Sequence, residues 1–247
     1  VNVSAEERKK ALVDYALPKN IKKMQADMEK YKIFYDKWFF ESELHKSGAV
    51  KAVVDLLTKK GLTYEKEGAV WYKNKEVLTQ KLLKEGKSQK YIDNLELKDD
   101  VLIRQNGNPT YFTADIAYHK NKFDRGFTTL IDVWGADHHG HVMRMKGAMD
   151  AIGYDGDKLN VVLMQLVKLV KDGELVRMSK RTGKAIQLGD LLDEVPVDSA
   201  RFLFNTKEAN TQMDFDLDLA VSQDNQNPVY YVQYLSLIHI SEPTRPY

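Results

Sequence analysis

The chain reads as an α/β protein with a parallel sheet and crossover helices, preceded by a mostly helical region. Three stretches predict this. Residues 130–134 (LIDVW) form a short apolar run rich in branched and aromatic side chains, bounded by Gly135, and so read as a buried strand. Residues 159–170 (LNVVLMQLVKLV) form a second apolar run of the same kind. Between them, residues 139–152 carry a helical pattern that Gly153 closes. With a strand over 101–104 and a helix over 114–123 ahead of them, the middle third has the rhythm β-α-β-α-β, that of a parallel sheet.

The elements follow in order. Residues 4–15 predict a helix, with Ser4 as N-cap and Glu6 and Glu7 in the first turn; Pro18 interrupts it. Beyond Asn20, the residues Ile21, Met24, Met28, Tyr31 and Ile33 recur at roughly helical spacing. Phe34, Trp38, Phe39 and Phe40 read as an aromatic core contact between helices. Residues 42–60 form a further helix that Gly61 ends, with Val50, Val53, Val54 and Leu57 on one face. Short strands fall over 62–72 and 101–104, separated by a charged helix over 76–94 with Gly86 near its middle.

Asn106, Gly107, Asn108 and Pro109 build a turn, and Thr113 can cap the helix after it. The run KDGE over 171–174 is a tight turn from which 175–178 returns. Short helices over 188–194 and 198–206 flank Pro196. Asp214, Asp216 and Asp218 alternate with apolar residues. A calcium loop would need a glycine and a closing glutamate that are absent at the required spacing, so a capped helix start is the reading. Residues 227–234 begin a helix with Pro228 at its first position. Residues 236–247 carry no pattern of the fold. They resemble the translated read-through of a transposon-type sequencing adapter and are set aside as a non-native tail.

Composition narrows the function classes. The 247 residues are 43% hydrophobic, enough for a sizeable core, and a net charge of +1 advertises no nucleic-acid or membrane partner by its field alone. Cysteine is absent, which excludes disulfides and thiolate metal sites and fits a reducing, cytoplasmic compartment. No stretch is long and apolar enough to span a membrane. The first residues form no signal peptide, and without an initiator methionine the expectation is that the chain begins inside a longer protein.

The chemistry concentrates in two places. A strand that ends in glycine and feeds a helix is where α/β sheets bind ligands, and Asp137, His138, His139 and His141 crowd that edge. Gly135 lets the protein backbone approach a nucleotide closely, and Asp137 can accept from ribose hydroxyls. The second place is VRMSKRTG over 176–183, where Arg177, Lys180 and Arg181 stand with Ser179 and Thr182 in a short loop suited to a polyphosphate. Asp115 and His119 are four apart and share a helix face.

The strings PTYFTADIAYH, DVWGADHHGH, VRMSKRTG, the DFDLDLA run and NPVYYVQY, in that order, resemble the arginyl-tRNA synthetases of class I. The resemblance covers essentially everything before the tail and is strongest over 101–234. It implies a partial nucleotide-binding, Rossmann-like fold with a mostly helical insertion and the start of a C-terminal helical domain. Residues 1–100 would be the insertion with its small sheet, 101–190 the second half of the nucleotide fold, and 191–235 the helical stem-contact region.

The resemblance further implies that arginine is joined to ATP, carried with Mg2+, and then passed to tRNA(Arg). Asp115 would pair with the substrate guanidinium, Tyr111 beside it, with His119 a second candidate. His138 would lie between arginine and nucleotide. His141 would support sugar or phosphate, and His139 would merely pack or cap. Met164, Gln165 and Met178 would line the nucleotide. Lys180, with Arg177 and Ser179, would stabilise the charge growing on pyrophosphate; Arg177 stands where the family's fullest form of the loop has lysine. No dedicated metal site is expected, and the parent enzyme is expected to be a monomer.

One departure matters. The family's other ATP signature, H-x-G-H at the first strand–helix junction, is absent; the related spelling His138-His139-Gly140-His141 stands elsewhere. The expectation is therefore a chain without the first half of the nucleotide fold, most of the anticodon domain or the N-terminal tRNA-contacting domain, and inactive alone. Two other readings compete: a non-catalytic RNA-binding module derived from a synthetase, and a metal-dependent phosphoesterase using Asp137, His138, His139 and His141.

Overall fold

The computed structural model describes residues 3–176 and 186–241. The chain divides into two compact units, residues 37–164 and residues 1–36 with 165–247.

Helix α1 (Ala5–Lys30) opens the chain. Ser4 and Glu7 satisfy each other's backbone N–H in a capping box. The helix runs through Pro18 where an interruption was expected. A proline removes one helical hydrogen bond, but no residue of α1 is buried, so the freed carbonyl stays open to solvent.

The first unit begins with α2 (Glu41–Lys46) and α3 (Ala49–Lys59). The single helix expected over 42–60 breaks because Gly48 adopts φ +76°, a left-handed conformation that glycine takes without strain. Val50, Val53, Val54 and Leu57 are buried on one face of α3, as their spacing requires. Strands β1 (Thr63–Lys66) and β2 (Ala69–Tyr72) form a hairpin. The charged helix likewise divides, into α4 (Asn74–Lys84) and α5 (Gln89–Asp93).

Strand β3 (Asp100–Ile103) then pairs antiparallel with β2, giving the order β1-β2-β3. The expected three-stranded parallel sheet is thus corrected. Asn74 Nδ2 donates to the Lys98 carbonyl at 3.1 Å and the Lys75 N–H to Asp99 Oδ1 at 3.0 Å. These bonds hold the segment before β3 against the start of α4, beside the open edge of β2.

Helix α6 (Tyr111–Asp124) starts a turn earlier than expected. Thr110 caps it; Thr113 instead buries its hydroxyl, which donates to the Leu102 carbonyl at 2.7 Å. Strand β4 (Leu130–Gly135), a single 3-10 turn (Ala136–His138), helix α7 (His139–Ile152) and strand β5 (Leu159–Met164) complete the unit. β4 and β5 run parallel, in register from Leu130 opposite Leu159 to Gly135 opposite Met164, with α7 as the crossover. Leu130 and Asp132 are buried and Trp134 half-buried, while Ile131 and Val133 are exposed, the period of two that a strand imposes. The core joins Val53, Leu57, Tyr72, Leu102, Ile116, Met145, Met149 and Leu159. Each such apolar side chain contributes about 1.5–3 kcal/mol on burial.

The apolar run over 159–170 is two strands, not one. β6 (Val167–Lys171) belongs to the second unit, pairing antiparallel with β7 (Glu174–Leu175) and parallel with β8 (Met213–Asp216). The Gln165 N–H turns aside to the Ala209 carbonyl at 2.9 Å. Asp172 and Gly173, both at positive φ, make the tight hairpin turn the sequence predicts. Helices α8 (Leu188–Glu194), α9 (Val197–Phe204), α10 (Leu217–Val221) and α11 (Pro228–Ser241) follow. Asp216 caps α10, accepting from Asp218 and Leu219 at 2.9 and 3.0 Å. Leu191, Val195, Ala200, Phe215 and Ala220 form this unit's core, with Tyr31 and Phe204 packed on it. α11 runs on into the stretch set aside as a tail.

Candidate functional site at the carboxyl edge of β4

A cavity of about 710 Å³ opens where β4 ends. α6 contributes Tyr111, Phe112 and Asp115; β4 contributes Val133, Trp134 and Gly135. Asp137 and His138 come from the 3-10 turn, and Gly140, His141 and Arg144 from α7. A parallel strand, a glycine and a helix start therefore converge on one opening, the usual ligand edge of such sheets.

Asp115 is hydrogen-bonded through one carboxylate oxygen, and the other lies 4.0 Å from His119 Nδ1. Its Oδ2 accepts from His141 Nε2 at 3.1 Å, and its side chain is 39% exposed. His141 is held in turn, its ring edge-on to Phe112 at 5.5 Å and 5.3 Å from Trp134. Tyr111, one helical turn before Asp115, is exposed at the mouth. Arg144 Nε donates to Asp100 Oδ2 at 3.0 Å while its NH2 reaches Asp100 Oδ1, and its guanidinium lies 4.9 Å from the Phe112 ring centre. Burial raises the Asp100 carboxyl above the usual aspartate range, an effect that Arg144 only partly offsets.

Behind Asp115 lies a buried ionic group. His119 Nδ1 approaches the Asp115 carbonyl at 2.8 Å, and its Nε2 meets Asp132 Oδ2. Lys122 Nζ donates to Asp132 Oδ1 at 2.7 Å. Burial alone would raise the Asp132 carboxyl, but the hydrogen bonds and charges of His119 and Lys122 outweigh it and hold the group below its ordinary range.

At the strand end, a Cβ on Gly135 would stand 2.5 Å from Asp137 Oδ1, so the glycine makes room for a carboxylate folded back across it. His138 Nε2 lies 3.7 Å from Asp137 Oδ2, and both side chains are exposed.

Of the residues expected at the site, Tyr111, Asp115, Gly135, Asp137, His138 and His141 line this one cavity. His119 does not; it is buried behind Asp115. Met164 is exposed at the end of β5, in register with Gly135 but outside the lining, and Gln165 belongs to the other unit. His139 is exposed at the first position of α7. Arg177, Met178, Ser179 and Lys180 lie outside the described residues. Sequence reasoning missed Phe112, Trp134 and Arg144. The signal for Arg144 was present, since it follows His141 by three on one helix face, and the alternation along β4 puts Trp134 beside Leu130 and Asp132. Among the described residues, no group of three or more His, Asp or Glu side chains is arranged to hold a metal ion. None of their helices is long and apolar enough to cross a membrane.

The chain is similar to known proteins. Residues 2–226 match the family described as tRNA synthetases class I (R), catalytic domain. An arginine–tRNA ligase of Ruminiclostridium cellulolyticum is 54% identical over 235 residues, which is 95% of this chain and 39% of that protein. Another, from Caldanaerobacter subterraneus subsp. tengcongensis, is 56% identical over 234 residues, 94% of this chain and 39% of its own length. The solved arginyl-tRNA synthetase structure from Campylobacter jejuni superposes with a TM-score of 0.76 at 36% identity, over 91% of this chain and 45% of that one. The chain thus spans about two-fifths of the length of these curated relatives. With the family match running through both compact units, the chain belongs to the class I (R) tRNA synthetases, as part of their catalytic domain.

Proposed function

We propose that this chain is part of an arginine–tRNA ligase that activates arginine with ATP–Mg2+ and passes it to tRNA(Arg) in the cytoplasm. The observation that carries the reading is Asp115: a carboxylate with one oxygen tied to His141 and its side chain open to the cavity at the end of β4, beside Tyr111. A guanidinium presents a planar fork of donors that a fixed carboxylate matches and an ammonium does not.

The other roles follow the same edge. Gly135 and Asp137 take the ribose, with His138 between it and the amino acid and His141 holding Asp115. Met164 and Gln165 are assigned to the base from the sequence resemblance alone. In the reaction, an oxygen of the arginine carboxylate bonds to the α-phosphorus while the bond to the bridging oxygen breaks, and pyrophosphate leaves with the charge. Lys180, with Arg177 and Ser179, is assigned to that leaving group, and Met178 to the nucleotide, from the sequence resemblance. Residues 1–100 act as the insertion, 101–190 as the second half of the nucleotide fold, and 191–235 as the stem-contact region.

Arginine-dependent ATP–pyrophosphate exchange tests this. The full-length protein is expected to exchange with arginine and not with lysine or citrulline, and this chain alone is expected not to exchange, even with tRNA added. Exchange driven equally by lysine would overturn the substrate assignment. Exchange by the chain alone would overturn the division of labour.

A further inference from the structure

We propose that His119 is a buried imidazolium, protonated on both ring nitrogens, and that it positions Asp115 by tying that turn of α6 to Asp132 in β4. The argument is one of donors and acceptors. His119 Nδ1 faces the Asp115 carbonyl oxygen at 2.8 Å, and a carbonyl only accepts, so Nδ1 carries a proton. Its Nε2 faces Asp132 Oδ2. Asp132 also accepts from the Lys122 ammonium at 2.7 Å through its other oxygen. The Lys122 ammonium holds the Asp132 carboxyl ionised, and an ionised carboxylate only accepts, at either oxygen. Nε2 therefore carries a proton as well.

The groups around the ring complete the balance. Asp115 and Lys122 approach from α6 and Asp132 from β4. The rings of Tyr118 and Trp134 stand edge-on at 6.0 and 6.2 Å. His141 of α7 meets the group through the Asp115 carboxylate and, by its ring, through Trp134 at 5.3 Å. His119 is 2% exposed and Asp132 7%. A buried ion pair of this kind fixes geometry more than it adds stability. What it fixes is the backbone of the residue whose side chain opens into the cavity. His119 is therefore a positioning residue: it acts through Asp115 and lies outside the cavity lining. The protonation stands on this geometry alone, while its use for arginine rests on the reading of Asp115 given above.

Ring ¹⁵N spectra of the chain labelled at its histidines test both parts at neutral pH, without ligand. One of the six histidines is expected to show two ring N–H protons that exchange slowly, and His119→Gln is expected to delete that signal. Asp132→Asn is expected to leave His119 with the Nδ1 proton only. In both variants the His141 ring resonances are expected to shift, because Asp115 moves. Ile116→Val, a core change on the same helix, is expected to leave them in place. A single ring proton on His119 in the unaltered chain overturns the imidazolium, and that measurement needs no variant to fold. Unmoved His141 signals in folded His119→Gln or Asp132→Asn overturn the positioning role. If the His119 pattern holds while arginine fails to perturb Asp115 in the full-length protein, the substrate reading alone fails.

Discussion

His141 Nε2 stands 3.1 Å from Asp115 Oδ2, and this contact joins the helix after β4 to the helix before it across the mouth of the cavity. It occupies one carboxylate oxygen and fixes its direction, so a ligand meets Asp115 already oriented. Pre-orientation of this sort lowers the entropic cost of binding.

Asp115→Asn keeps the shape and removes the charge. Charge-assisted hydrogen bonds contribute about 1.5–3 kcal/mol each, so the KM for arginine in the full-length protein is expected to rise by roughly 10- to 150-fold. Exchange kinetics at saturating ATP measure it, and an unchanged KM would remove Asp115 from the guanidinium site.

Asp132 sets a pH dependence of stability. Its folded pKa lies below the ordinary aspartate value of 3.8, so its stabilisation is present above that value and is lost as pH falls through the lower, folded one. Asp132→Asn leaves His119 and Lys122 without their counter-charge and is expected to cost about 3–5 kcal/mol at neutral pH. In urea unfolding the difference from the unaltered chain is expected to narrow below pH 3.8. A constant difference across that range would argue against an ionised Asp132.

Gly135→Ala separates fold from function. The new Cβ is crowded by Asp137 Oδ1, at 2.5 Å, and meets His138 Cδ2 only at an ordinary 3.9 Å; the Asp137 side chain is 82% exposed and free to swing away. Stability is expected to change by no more than about 0.5 kcal/mol. ATP affinity of the full-length protein is expected to fall roughly tenfold, a change of about 1.4 kcal/mol, as the carboxylate leaves its place. Thermal melts and calorimetric titration with a non-hydrolysable ATP analogue give the two numbers.

Gly147→Ala is the contrasting case. Its Cβ would stand 2.6 Å from Leu78 Cδ2 where α7 packs on α4, and Leu78 is 1% exposed with nowhere to turn. Overpacking costs about 1–3 kcal/mol, and the better helix propensity of alanine returns up to about 1 kcal/mol. A net loss of stability is expected, with Leu78→Val restoring part of it in the double variant.

Much of this was readable from residues alone. Period and punctuation located α3, α7 and α8, the Asp172–Gly173 hairpin turn and the Asp216 cap, because each depends on neighbours within a few residues. The glycine-aspartate strand end was equally local and located the edge of the cavity, and the i, i+4 placement of Asp115 and His119 put those two side chains on one helix face.

What the tertiary structure decided is pairing and facing. β3 chose the open edge of β2, β6 left β5 for a different sheet, and α1 kept its course through Pro18 because water could serve its carbonyl. Spacing put His119 on one face with Asp115, but only packing against β4 turned it inward onto Asp132 and gave the cavity to Asp115 and His141. Periodicity tells which side chains share a face. Which face meets a partner depends on contacts between segments far apart in the chain, and those exist only once the chain has folded.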